Sequence, residues 1–176
     1  RVDLSLPIRG NDQNQIKIGA FTDVRDRNFD ARVFGYTYSK NYVAQELLTQ
    51  EIGDILDHKN INEKGFVLKE STNPNDSYDA SSANVGGYAM LDHHFFGNKI
   101  RFIGGLRLEA FNQQLNTFEY GGSPIAINSQ VYDFLPSINL VYKINETSNL
   151  RLSGSQTVVR PNFRELAPFS FYDFNL

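Results

Sequence analysis

The sequence predicts an all-β protein, an antiparallel up-and-down meander with the alternation of a membrane-spanning barrel. Three observations carry that expectation. Apolar and polar residues alternate with period 2 along most of the chain. The connections between the alternating runs are by turns short and long. No stretch approaches the roughly 20 apolar residues of a membrane helix, whereas a membrane strand needs about 9–11, every second one free to be polar.

The first run is "RVDLSLPI", with Val2, Leu4, Leu6 and Ile8 on one face and Arg1, Asp3 and Ser5 on the other. In "QIKIGAFTDVR", Ile16, Ile18, Ala20 and Val24 oppose Gln15, Lys17, Asp23 and Arg25. The pattern continues to residue 38 and reads as one long strand. Further on, Val85, Gly87, Ala89, Leu91 and Phe95 share a face. The clearest case is "KIRFIGGLRLEA", in which Ile100, Phe102, Gly104, Leu106, Leu108 and Ala110 oppose Lys99, Arg101, Arg107 and Glu109. In "VYDFLPSINLVYKI", Tyr132, Phe134, Ile138, Leu140 and Tyr142 oppose Asp133, Ser137, Asn139 and Lys143. Pro136 cannot donate to a ladder, so it belongs at a bulge or where no donor is required. The last run, "NLRLSGSQTVV", is expected to continue until Arg160 and Pro161, because a residue before proline is held extended and the proline stops the ladder.

Residues 9–14, 97–98 and 145–148 are short connections rich in turn residues, and Gly97 with Asn98 suits a two-residue hairpin turn. The long connections are expected near 40–78, 111–130 and 161–176. The first contains the one helix candidate, "NYVAQELLTQEIGDILDH", with Val43, Leu47, Leu48, Ile52, Ile55 and Leu56 near helical spacing. Alternate connections of a meander lie at opposite ends of the sheet, so one end carries tight turns and the other long loops, as in an outer-membrane barrel.

A soluble antiparallel meander, such as a ligand- or carbohydrate-binding module, alternates in the same way, because a core face and a lipid face both read apolar. Three features favour lipid. The polar face is crowded with Lys, Arg, Glu, Asn and Ser. The runs exceed the usual soluble strand of about 5–6 residues. Aromatic residues (Tyr36, Tyr38, Tyr88, Phe95, Phe96, Tyr132 and Phe134) recur near expected strand ends, where an interfacial girdle would lie.

Composition narrows the chemistry. A net charge of −3 offers no global basic field for nucleic acid. With no cysteine, disulfides, thiolate metal sites and cysteine nucleophiles are excluded. In "DHH", residues 92–94, the two histidines of a strand face opposite ways and cannot share one ion. Asp92 and His94 do share a face. The sequence lacks a nucleophile elbow, a P-loop and a dinucleotide fingerprint. The glycine pairs at 86–87 and 104–105 fall within strands and mark bends or close packing. No enzyme, metal site or cofactor is expected.

The segment "RLSGSQTVVRPNFRELAPFSFYDF" resembles the barrel of TonB-dependent outer-membrane receptors, in particular the large receptors of Bacteroidetes-type bacteria. The matching residues are Ser155, Thr157, Arg160, Pro161, Phe163, Glu165, Leu166, Pro168 and Phe169. "KIGAFTDVRDRNFDARVFGY", "GFVLKESTNPNDSYDASS", "GGYAMLDHHFFGNKIRFIGGLRLE" and "DFLPSINLVYKINETSNLRLSGSQT" are similar to the same family, in order along the chain. The resemblance implies part of a plugged barrel of about 22 strands. Such a receptor takes up a scarce nutrient, a ferric siderophore, haem, cobalamin or glycan, across the outer membrane. Implied partners are the remainder of the barrel, the plug domain, outer-membrane lipid, the TonB complex and a surface lipoprotein. About six strands are counted here, too few to close such a barrel. The chain is therefore expected to be a segment of a larger receptor, without its plug. Arg160, Asn162, Arg164, Glu165 and Tyr172, at the base of the last loop, are the candidate ligand-binding residues. Rim hydrogen bonds and ion pairs that order the loop are the competing role for Arg160, Arg164 and Glu165.

Overall fold

The computed structural model describes residues 1–8, 13–38 and 43–168. The strands are β1 (Val2–Pro7), β2 (Gln15–Asp30), β3 (Phe34–Tyr38), β4 (Phe66–Glu70), β5 (Ser77–Phe95), β6 (Ile100–Phe118), β7 (Pro124–Lys143) and β8 (Asn149–Ser155). Six of them form one antiparallel sheet in the order β1-β2-β5-β6-β7-β8. β3 and β4 pair with each other, as a hairpin inserted between β2 and β5. The expected meander is therefore present, as an open sheet with edges at β1 and β8.

The register sorts the side chains as the alternation predicts. Leu4, Ile18, Ala89, Leu106 and Pro136 are directly paired across five strands and share one face. The adjacent row, Asp3, Gly19, Tyr88, Arg107 and Leu135, faces the other way. The apolar face lies open, with Leu4 50% and Leu106's neighbour Leu108 53% exposed. It is not the wall of a packed interior, which argues against the soluble module.

On this outer face the apolar band covers positions 16–24 of β2, 83–95 of β5, 100–110 of β6 and 132–142 of β7. These spans of 9, 13, 11 and 11 residues cover the about 9–11 residues that a tilted membrane strand requires. Past the band, toward the long connections, the same face turns polar at Asp26, Asn28, Asp79, Ser81, Gln114, Asn116, Asn128 and Gln130. β7 has 20 residues. At about 3.3 Å per residue and a tilt near 40°, such a strand rises about 50 Å, well beyond a hydrocarbon layer of about 30 Å. The sheet thus projects past its apolar band at the loop end.

This projection corrects the loop expected at 111–130. β6 runs to Phe118 and β7 begins at Pro124, leaving a turn in which Gly122 has φ +85° and its N–H bonds Glu119 O at 2.9 Å. Beyond the apolar band both faces carry polar residues, so composition there resembles a loop although the ladder continues. The single strand expected over 15–38 also breaks. At residues 31–33 the chain finds other partners, Ala31 N–H bonding Asp76 O and Val33 N–H bonding the Thr72 hydroxyl, both at 2.9 Å. The expected helix reduces to α1 (Ile52–Ile55) between two 3-10 turns, Leu47–Thr49 and His58–Asn60. Gln50 and Glu51 are extended between them, and the Thr49 hydroxyl bonds back to Glu46 O. Such local bonds compete with helix propagation, which a short segment cannot readily nucleate.

At the tight end Gly97 and Asn98 have φ of +64° and +70° and Lys99 N–H bonds Phe96 O at 3.3 Å, but Phe96 is also left-handed at +54° and the ladder closes at Phe95 and Ile100, so the connection has four residues, 96–99, rather than the expected two. Asn145 accepts the Thr147 N–H in an Asx turn, which accounts for that residue's place in "NETS". The aromatic girdle is smaller than expected. Phe95 and Phe96 mark the short-turn edge of the band, and Tyr132 and Phe134 the loop-side edge. Tyr88 lies mid-strand on the inner face, bonding Asp3 at 2.7 Å, while Tyr36 and Tyr38 belong to the separate hairpin.

Candidate functional site

Along the apolar band the inner face carries the charged residues among a few apolar ones (Met90, Ile103, Leu135 and Val141), and its densest charge lies where β6 and β7 leave that band. Glu109 and Asp133 are directly paired. Two carboxylates opposite one another repel unless a cation lies between them. The Arg160 guanidinium supplies it: one terminal nitrogen lies 2.8 Å from Glu109 Oε2 and also binds Asp133 Oδ2. Arg107 pairs with the other Glu109 oxygen, and Asn84 Nδ2 donates to Glu109 Oε2 at 2.9 Å. Glu109 is only 5% exposed, so its charge depends on these partners. Aromatic faces carry the cations. Arg160 lies 4.5 Å from the Phe111 ring centre and Arg107 4.4 Å from that of Phe21. Phe21 reaches its place across Gly86, where an added Cβ would meet the ring at 2.5 Å and Leu108 O at 2.7 Å. Close packing, as expected for that glycine pair, is the reason for Gly86.

Arg160 arrives on a segment that has left the sheet. β8 stops at Ser155, earlier than the expected stop at Arg160 and Pro161. The last bond runs from Gln156 N–H to Pro136 O at 3.0 Å. In an antiparallel ladder a residue's N–H and C=O point to the same neighbour. Pro136 therefore turns its donor-less nitrogen toward β8 at the point where the ladder ends. Residues 156–168 then lie across the inner face. Gln113 Nε2 donates to Pro161 O at 3.2 Å. A capping box starts α2 (Phe163–Leu166): Asn162 N–H bonds Glu165 Oε2 at 2.9 Å, and the Asn162 side chain accepts in return from the Glu165 backbone. Phe163 and Ala167 are buried against Tyr78, Ala80 and Leu115, with Phe29, Ile127 and Leu166 packed around them.

This small core was missed in the sequence. Its signal is an inversion: at the loop ends of β5, β6 and β7, Tyr78, Leu115 and Ile127 are apolar at positions that should be polar.

Of the predicted site residues, Arg160 and Asn162 line an open cleft of about 810 Å³ whose facing wall includes Asp23, Arg25 and Arg27 of β2. Glu165 caps α2, and Arg164 stands beside it on the same turn. Ser155 ends β8, Pro161 and Phe163 are fixed as described, Leu166 joins the small core, and Thr157 and Pro168 are exposed. Tyr172 and Phe169 lie outside the described residues. At residues 92–94 no metal site assembles. Asp92 is held by Arg101 through two bonds of 2.9 and 2.7 Å, His94 faces Asn14, and His93 packs on Phe95. No metal-binding group of three or more acidic or histidine side chains occurs among the described residues.

Outside the sheet, the base of the β3–β4 hairpin is closed by a fork of Arg32 on Glu70, with bonds of 2.9 and 2.8 Å. Together with the Thr72 hydroxyl, Arg32 holds the Glu70 carboxyl at about 2.

A family model described as "TonB dependent receptor-like, beta-barrel" matches residues 4–176. The chain belongs to that family. No curated protein matches it. The TonB-dependent receptor barrels are transporters of the bacterial outer membrane, barrels that hold a plug and work with TonB. The receptor-barrel assignment agrees with the open antiparallel sheet, its exposed apolar band and its polar inner face.

Proposed function

We propose that this sheet is one arc of a barrel of about 22 strands that takes up a scarce nutrient, such as a ferric siderophore, haem, cobalamin or glycan. In this reading the short turns lie in the periplasm, and the β2–β5 and β6–β7 connections and residues 161–176 face the outside. The carrying observation is the outer face, apolar over one membrane thickness except at Thr22 and His93, and polar in most positions past the loop-side edge. The plug domain and the TonB complex complete the machine, with outer-membrane lipid against the apolar band and a surface lipoprotein as an outside partner. Arg160 and Asn162, which line the cleft, are placed to meet the solute. Glu165 orders the turn that carries Arg164, and Tyr172 follows on the same segment.

These 176 residues contain no cysteine, so single introduced thiols report the topology once any cysteine elsewhere in the receptor is replaced by serine. In the full-length receptor on whole cells, an impermeant maleimide should label Asn116→Cys and should label Glu146→Cys only after the outer membrane is permeabilised. The opposite pattern overturns the orientation, and recovery of the protein in the cytosol overturns the barrel reading. Competition among ferric siderophores, haem, cobalamin and oligosaccharides for uptake then identifies the solute class.

A further inference from the structure

We propose that the outward polar rows past the loop-side edge of the apolar band form a docking surface for the sugar headgroups of membrane glycolipids. The proposal rests on the reading of that face as the one that meets lipid.

Strand register builds the surface. Asp26, Ser81, Gln114 and Asn128 are directly paired across β2, β5, β6 and β7, and Asn28, Asp79 and Asn116 form the next row. All seven side chains share the face of the apolar band, which ends on β2 at Val24. At about 3.3 Å per residue and a tilt near 40°, the two rows stand about 5 and 10 Å beyond that residue. The polar layer of a bilayer adds about 5–8 Å on each side of its hydrocarbon. The rows therefore begin level with the hydrated headgroups.

The feature is one-sided. At the turn end the same face stays apolar to its last row, Phe95, Ile100, Tyr142 and Leu150, which are directly paired across β5, β6, β7 and β8. Polar rows are thus not a general property of the strand ends in this sheet.

Side-chain chemistry selects the headgroup. The two rows carry amides, a hydroxyl and two carboxylates, and neither lysine nor arginine. Phosphate recognition calls for cations, and Asp26 and Asp79 repel an anion. Sugar hydroxyls donate and accept at once, and this set of side chains answers both roles. Asn28 Nδ2 donates to Asp79 Oδ1 at 2.6 Å. The second Asp79 oxygen and Asn28 Oδ1 remain to accept and the other Asn28 N–H to donate, side by side as neighbouring hydroxyls require. The side chains of Asp26, Ser81, Gln114, Asn116 and Asn128 have no hydrogen-bond or ion-pair partner among the described residues. Asp26 and Asn28, Asp79 and Ser81, and Gln114 and Asn116 border a shallow depression of about 360 Å³ across β2, β5 and β6.

Lipid competition tests this. Purified full-length receptor, stripped of lipid in detergent, is given equimolar digalactosyl diacylglycerol and phosphatidylglycerol with the same acyl chains, and native mass spectrometry counts what stays bound. The receptor should retain the digalactosyl lipid over phosphatidylglycerol by at least about threefold, the change expected from one net hydrogen bond. Asn28→Ala combined with Asn116→Ala should abolish the preference, and Asn116→Lys should turn it toward phosphatidylglycerol. Leu108→Ala, within the band, should leave it unchanged, because the competing acyl chains are identical. Equal retention by the parent, or a preference that survives the paired alanines, overturns the proposal. A preference for phosphatidylglycerol that appears only with Ca²⁺ also overturns it, in favour of a cation-bridged phosphate. If the paired variant does not assemble, unglycosylated diacylglycerol as a third competitor decides the question in the parent: its equal retention shows that acyl chains alone are held. Purified protein has no sidedness, so a failed topology experiment on cells leaves this result standing. Retention of none of the lipids sinks the lipid-facing reading itself, and the docking surface with it.

Discussion

The two halves of the sheet follow one alternation and put it to opposite use. Within the apolar band, the outward side chains of β5, β6 and β7 are apolar except His93, and the charged side chains (Asp92, Arg101, Arg107, Glu109 and Asp133) lie inward, paired with one another or with Arg160 among neutral neighbours. Past the band the outward side chains are Asp79, Ser81, Gln114 and Asn116, and the inward face holds a buried apolar cluster around Leu115. A strand specifies two faces, but the medium on each side decides which face is apolar. Lipid accepts the apolar face in the band. Where water lies outside, the apolar side chains need a protein partner, and Phe163 and Ala167 supply it.

The comparison is most sharply tested by removing the same side chain from each half. Leu115→Ala should cost about 3 kcal/mol, because protein surrounds the site and a cavity remains. Leu106→Ala should cost about 2 kcal/mol, the transfer term alone, because lipid can fill the space. Equilibrium unfolding of the full-length barrel in vesicles measures both, and equal costs would remove the distinction. The next effect inverts the chemistry. Leu106→Arg should cost roughly 2–4 kcal/mol at the lipid face, whereas Gln114→Arg, four pairs further along the same face of the same strand, should stay within about 0.5 kcal/mol.

The smallest effect lies outside both halves, at the hairpin base. Glu70 is more acidic in the folded protein than the ordinary carboxylate value of 4.5, lying at about 2 because of Arg32 and Thr72. Its contribution is therefore present above 4.5 and is lost as pH falls toward 2. Carboxylate chemical shifts should show Glu70 titrating near 2, with exchange at the Val33 and Ser71 amides rising over the same range. Titration at 4.5 would show that the fork does not hold in solution.

Much of this architecture is legible in the residues. Every face assignment in the band follows from alternation, and the Gly97 and Asn98 turn follows from their tolerance of positive φ. The errors cluster past the band. Asn112, Gln114 and Asn116 read as loop because a strand with water outside has no apolar stripe to show. Thr157, Val158 and Val159 read as strand although the ladder to β7 ends at Pro136, which has no donor to return to Gln156. The candidate site was half visible. Arg160 and Asn162 stand out beside Pro161, but Asp133 and Glu109 look like any other charges of a polar face.

By itself, the sequence determined the alternation, the tight connections at 97–98 and 145–148, and the family motif at residues 155–169, because each depends on neighbours along the chain. The tertiary structure alone decided that Glu109 meets Asp133, that Arg160 bridges them from a segment outside the sheet, and that Phe163 closes over Leu115. Those contacts depend on strand register and on where one ladder ends, and neither is encoded by any local spacing of residues.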